Sequence, residues 1–269
     1  MAFASSPAIE TCPMPYSKTS VKRTGPLLLV ALLACSNAGA RTTTEITVAA
    51  AASLSAVFPK IAAGFERENP GTKIRFTFGA SNGLATQIKE GAPVDVFASA
   101  SAKWLDSIAT DPGVLARAVF ARNRLVVIVP RDNPAHITRF ADIARPGVRL
   151  VVAAAGVPAG DYARQAFARA GLQRALRNVV SNEQDVEGVA AKVVSGDADA
   201  GIVYATDVTP IVARAVTMIE LPPSADVIAL YEIGVVRGTH APSLARAFMT
   251  YVLGPGQAVL RESGFSSPA

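Results

Sequence analysis

Apolar positions along this chain alternate between two periods. Ile46 to Ala52 is an apolar run that stops at Ser53. Leu54, Val57, Phe58, Ile61, Ala62 and Phe65 follow at helical spacing, so a buried strand is expected to hand over to a helix with Ser53 as its cap. Lys73 to Phe78 alternates as a half-buried strand and ends at Gly79-Ala-Ser-Asn-Gly83, where a short helix carries Leu84 and Ile88. Val94 to Ala98 is a third strand, and Ala102 to Ala109 a helix with Trp104 and Leu105. Arg124 to Pro130 and Arg149 to Ala154 are β-branched strands. The second ends at Gly156-Val-Pro-Ala-Gly160, and Pro158 suits the first helical position, whose N–H has no partner anyway. Val186, Val189, Ala190, Val193 and Val194 mark one face of a helix. Ala200 to Tyr204 and Ile228 to Arg237 are strands, and two helices close the chain.

Strands alternating with helices predict an α/β fold with largely parallel sheets and ligands at the carboxyl ends of strands. Pro59 breaks this pattern: inside the helix expected after Ser53 it costs a hydrogen bond and introduces a kink.

Composition narrows the class. Half of the 269 residues are hydrophobic and 17% are charged, which excludes a disordered chain. Residues 1–40 are set apart: Lys18, Lys22 and Arg23 precede the apolar run Leu27 to Ala34 and then Ala38-Gly-Ala40, the plan of an export signal. Met14 is an alternative start. Leu32-Leu-Ala-Cys35 matches a lipoprotein box, with Leu33 awkward inside it, so cleavage after Ala40 is favoured over lipidation of Cys35. Either way the location is outside the cytoplasm, in the periplasm. Cys12 and Cys35 are the only cysteines and both lie in this leader, so no thiol chemistry is expected beyond it. The net charge of +5 is spread among acids and Trp104 is the sole tryptophan, which argues against nucleic-acid binding.

Five strand-to-helix turns present neutral groups: Ser53, Ser81, Ala159, Val186 and Tyr204. A strand end facing a helix N-terminus offers free N–H groups and a positive dipole end to an anion. Taken singly, each serine reads more readily as a helix cap and Tyr204 as a core residue. A catalytic reading makes Ser53 or Ser81 a nucleophile, but only His136 and His240 could serve as base, and both sit in other loops. No nucleophile elbow or zinc-protease motif is present.

As a set, these turns resemble the periplasmic substrate-binding proteins of molybdate ABC transporters. The matching motifs are Ala50-Ala-Ala-Ser-Leu54, Phe78-Gly-Ala-Ser-Asn-Gly-Leu84, Gly91-Ala-Pro-Val-Asp-Val-Phe97, Val157-Pro-Ala-Gly160, Asp185-Val186 and Gly201-Ile-Val-Tyr204. They follow family order over about residues 45–265. The resemblance implies the type II periplasmic binding protein fold: two α/β lobes joined by two crossing hinge strands, with an oxyanion in the cleft. Matched by position, residues 41–125 and 229–269 form lobe I and 126–228 lobe II, with crossings in Leu125 to Pro130 and Ile228 to Val236. Ser53 and Ser81 then supply hydroxyl and backbone donors, Ala159 and Val186 backbone N–H groups, and Tyr204 its phenol. Asn82 and Gly83 stand where some relatives carry hydroxyls. The implied ligand is molybdate or tungstate, with sulfate or thiosulfate as the alternative. The implied partners are a membrane permease and its cytoplasmic ATPase. No cofactor, no direct metal ligand and a monomer are expected. A ligand-sensing regulator can share the fold, but it needs a DNA-binding segment where this chain carries an export signal.

Overall fold

The computed structural model describes residues 43–268, so the export signal expected over 1–40, with Met14 and Cys35, lies outside the described residues. Nine strands are described: β1 (Thr44–Ala51), β2 (Thr72–Gly79), β3 (Val96–Ser99), β4 (Val114–Pro130), β5 (Leu150–Ala153), β6 (Val179–Glu183), β7 (Ala200–Tyr204), β8 (Val216–Glu220) and β9 (Ile228–Val236). Seven α-helices join them: α1 (Phe58–Glu68), α2 (Ser81–Lys89), α3 (Ala102–Ser107), α4 (Pro158–Arg169), α5 (Val186–Val194), α6 (Pro242–Leu253) and α7 (Gly256–Glu262).

The strands run in the order β2-β1-β3-β9-β4-β7-β5-β6, with β8 also paired to β4. The two ends are parallel, as the alternation of strand and helix requires: β1 pairs with β2 and β3, and β5 with β6 and β7. Their central strands are buried on both faces, which is why Val48 to Ala51 and Leu150 to Ala153 read as unbroken apolar runs. The middle corrects the expectation of largely parallel pairing. There β9 runs antiparallel to β3 and β4, and β4 antiparallel to β7 and β8. The reason is connectivity, because the chain leaves one end of the sheet along β4 and returns beside it along β9.

β4 is also longer than its β-branched stretch. It begins at Val114, and its first half pairs with β9 from Val114↔Val236 to Arg124↔Ile228. At Leu125 it changes partner to β7, and Val126 to Pro130 also pairs with β8. The first half mixes buried, half-buried and exposed positions without a clean alternation, so its hydrophobic signal is weak; β8 buries only Val216 and carries no usable pattern.

A second correction concerns the start of α1. Ala52–Leu54 forms a short 3-10 turn, and α1 begins only at Phe58, with Pro59 in its first turn. Proline there lacks an N–H that would be unpaired in any case, so the predicted kink disappears. Ser53 is not a helix cap, and its side chain makes no capping hydrogen bond. The apolar spacing of Leu54, Val57 and Phe58 concealed the break. Behind it, Phe58 and Phe65 pack edge-on against Phe248 of α6, and Phe58 also meets Phe120 of β4. That aromatic cluster anchors the helix following the first turn to the sheet.

Candidate functional site

Three helices end at one place. Ser81 is the first residue of α2, Ala159 the second of α4 and Val186 the first of α5. N–H groups in a first helical turn have no acceptor within the helix, so each end offers unpaired donors and a positive dipole end. The 3-10 turn after β1 brings Ser53 to the same point, and the end of β7 brings Tyr204. All five of these residues line a single cavity of about 20 Å³, beside Pro158 and Asp185. A space of that size suits one small ligand held against its walls.

Close packing of α4 against β5 sets one side of the cavity. A Cβ on Gly160 would lie 2.2 Å from the carbonyl oxygen of Ala154 and 2.3 Å from that of Ala153. Only glycine lets the first turn of α4 sit this near the strand end that aims it. Asp185 caps α5 through Oδ1, which accepts from the Gly188 N–H at 2.9 Å. Its carboxylate is thereby turned toward its own helix.

The hydroxyls are wired in different ways. Ser81 is buried and its Oγ accepts from the Ala100 N–H at 3.1 Å, leaving its proton free to donate. Ser53 Oγ lies 2.8 Å from the hydroxyl of Tyr231, a residue of β9. The Tyr204 hydroxyl is fully buried and has no hydrogen-bond partner. Burial pushes its pKa well above the ordinary tyrosine value, so the phenol keeps its proton. A buried, unpaired O–H is costly, and one on a residue that lines a cavity is a candidate donor for a ligand there.

Among the described residues lining the cavity there is no lysine, arginine or histidine. His240 instead contacts Asp95 Oδ1 at 3.1 Å and the Glu45 carbonyl at 3.0 Å, and His136 occupies a loop with φ of 52°. Neither histidine lines the cavity, so no imidazole adjoins Ser53 or Ser81. Asn82 and Gly83 line a flanking hollow of about 460 Å³ rather than the cavity itself. A second hollow of about 320 Å³ adjoins Ser53 and Val186 and includes Asp207, whose Oδ2 accepts from the Tyr204 N–H at 2.9 Å.

Sequence reasoning missed Tyr231, Asn123 and Ala100. Tyr231 and Asn123 lie on strands the motifs do not include, Ala100 lies just past the motif that ends at Phe97, and nothing in the local pattern marks any of them. Such an arrangement can hold a small anion by hydrogen bonds alone, with helix dipoles in place of a countercharge.

Comparison with known proteins gives concordant results. Residues 46–266 match the family described as bacterial extracellular solute-binding protein. The molybdate-binding protein ModA of Mycobacterium tuberculosis is 41% identical over 227 residues, spanning 83% of this chain and 85% of that protein. Among solved structures, the periplasmic molybdate-binding protein of Azotobacter vinelandii superposes with a TM-score of 0.74 at 21% identity, covering 83% of this chain and 100% of that one. The sulfate-binding protein SubI of Mycobacterium tuberculosis also reaches 0.74, at 17% identity, covering 84% and 87%. Both superpositions establish the fold.

Proposed function

The chain belongs to the bacterial extracellular solute-binding protein family, and we propose that within it this member captures molybdate and delivers it to an ABC permease for uptake. The observation that carries the reading is the cavity itself: five residues from separate turns converge on it, no cation lines it among the described residues, and the Tyr204 hydroxyl there has no partner. The 41% identity to a protein named for molybdate binding supports molybdate over other oxyanions. Fold alone cannot make that choice, since a sulfate-binding protein shares it equally well.

Ser53 and Ser81 donate hydroxyl and backbone protons, Ala159 and Val186 donate backbone N–H groups, and Tyr204 donates its phenolic proton. A hydrogen bond to a charged acceptor is worth about 1.5–3 kcal/mol net, so about seven of them support micromolar to nanomolar affinity after the costs of closure. Neutral donors in fixed directions discriminate better than a lysine or arginine, which attracts anions generally and loses strength with salt. A cavity of donors rejects a protonated anion, whose own O–H would meet another donor, and this disfavours hydrogen phosphate.

Tungstate, with the same charge and shape, belongs to the proposed ligand set; sulfate is the competing reading. The lobes are residues 41–125 with 229–269, and 126–228. They close on the ligand outside the cytoplasmic membrane, and the closed monomer docks on the permease. Binding rather than catalysis is the role of Ser53 and Ser81, because neither has a neighbouring histidine and the Asp185 carboxylate beside them caps its own helix.

Titration calorimetry of the chain from Arg41 onward with molybdate, tungstate, sulfate and phosphate tests this. Tight binding of molybdate and tungstate with negligible heat from phosphate is expected. Sulfate binding as tightly as molybdate would overturn the assignment.

A further inference from the structure

We propose that Asn123 and Tyr231 are positioning residues that fix the direction of the Ser53 hydroxyl proton, so that this serine presents its proton to a ligand. The inference rests on the ligand reading above and deepens it, because it identifies what holds one wall of the cavity in its donor state.

The argument starts at the backbone. The Arg124 N–H donates to Asn123 Oδ1 at 2.9 Å, which assigns the two ends of the Asn123 amide. Its Nδ2 therefore faces outward from that bond, donating to Thr206 Oγ1 at 2.8 Å and to the Tyr231 hydroxyl at 3.4 Å. Asn123 is 4% exposed and Tyr231 0%, so neither has solvent to turn to. With an amide N–H directed at its oxygen, Tyr231 keeps its own proton for Ser53 Oγ, 2.8 Å away. Burial also raises the Tyr231 pKa well above the ordinary value, which keeps that proton in place. Ser53 Oγ thus accepts from behind, and its remaining proton is turned to the cavity that it lines.

A serine hydroxyl left to itself can rotate and offer either a proton or a lone pair. One that already accepts from a buried phenol has its own proton left to direct forward. Ser81 reaches the same state by accepting from the Ala100 N–H. The Asn123–Tyr231 relay completes the set. Without it, Ser53 could offer a lone pair to the O–H of a protonated oxyanion, and the barrier against hydrogen phosphate would fall.

Tyr231→Phe removes the hydroxyl but keeps the ring that packs against Phe120, Tyr204 and Phe265. The test is a double-mutant cycle with Ser53→Ala, measured by calorimetry with molybdate and, separately, phosphate. Expected are a molybdate affinity loss of about 3- to 10-fold for Tyr231→Phe, a larger loss for Ser53→Ala, and no further loss when both are combined. The ratio of molybdate to phosphate affinity should narrow in Tyr231→Phe. A purely structural tyrosine would instead give the same loss with or without Ser53, and that outcome, or unchanged affinity and selectivity, overturns the relay.

The Tyr231 hydroxyl proton, observed by NMR in the ligand-free protein, separates this from the ligand assignment. The relay requires its resonance to shift upfield in Ser53→Ala, whatever the ligand. If molybdate fails to bind while that shift occurs, the ligand reading falls and the proton assignment stands. If molybdate binds and the resonance is unmoved, the relay falls.

Discussion

The indole Nε1 of Trp104 donates to the backbone carbonyl of Gly156 at 3.0 Å, tying α3 to the turn that precedes α4. Two neighbouring contacts reinforce the tie. Lys103 reaches Asp161 Oδ2 at 3.1 Å, and Asp161 Oδ1 accepts from the Gly156 N–H at 2.7 Å. Since α4 supplies Ala159 to the cavity, these contacts hold one wall in place from the far end of the sheet. Trp104→Phe should weaken molybdate binding by about 3- to 10-fold, chiefly through faster release, with little effect on thermal unfolding. Stopped-flow displacement gives the release rate, and an unchanged rate would mean that the tie plays no part in retention.

Tyr204→Phe should cost about 1–3 kcal/mol of binding. Its hydroxyl has no partner within the protein, so stability should stay the same or rise slightly. Calorimetry beside urea denaturation separates the two effects. Equal losses in both would show that the phenol serves the core instead.

Gly160→Ala should lower stability by about 1–3 kcal/mol, because the added methyl meets two backbone carbonyls that cannot rotate aside. It should also displace the first turn of α4, and with it Ala159. A melting temperature equal to that of the unaltered protein would show that α4 can back away without cost.

Asp207 makes stability depend on pH. Burial pushes its pKa up from 3.8 to about 7, against the Tyr204 N–H that favours the carboxylate, and Glu187 and Asp185 raise it further. A folded pKa above the unfolded one means that the folded protein binds the proton more tightly. The stabilisation is full below about pH 4 and lost as pH rises through about 7. Relative to Asp207→Asn, the protein should lose on the order of 2 kcal/mol between those limits, less than the full shift allows because the side chain keeps some exposure. The charge that appears above pH 7 also sits against the Tyr204 turn, so anion affinity should fall on the alkaline side. Parallel denaturation curves for the two proteins across this range would contradict the assignment.

The alternation of strands and helices, the burial of Val48 to Ala51 and the first position of Pro158 all follow from local pattern, because each depends on residues within one element. The five cavity residues were also legible, though only as a set of motifs; singly, Ser53 and Tyr204 look like a cap and a core residue. Local pattern failed where partners are remote. The start of α1 was misread because Leu54 and Val57 keep helical spacing through a 3-10 turn, and the antiparallel middle of the sheet depends on where β9 returns.

The sequence by itself thus determined most of the strands and helices that flank the site and which turn residues carry neutral donors, since spacing, β-branching and proline act over a few residues. Only the tertiary structure decided that these turns meet at one cavity, and that the oxygen of Ser53 is held by Tyr231, 178 residues away in the chain. The direction of a hydroxyl proton is set by its neighbours in space, and chain folding alone chooses them.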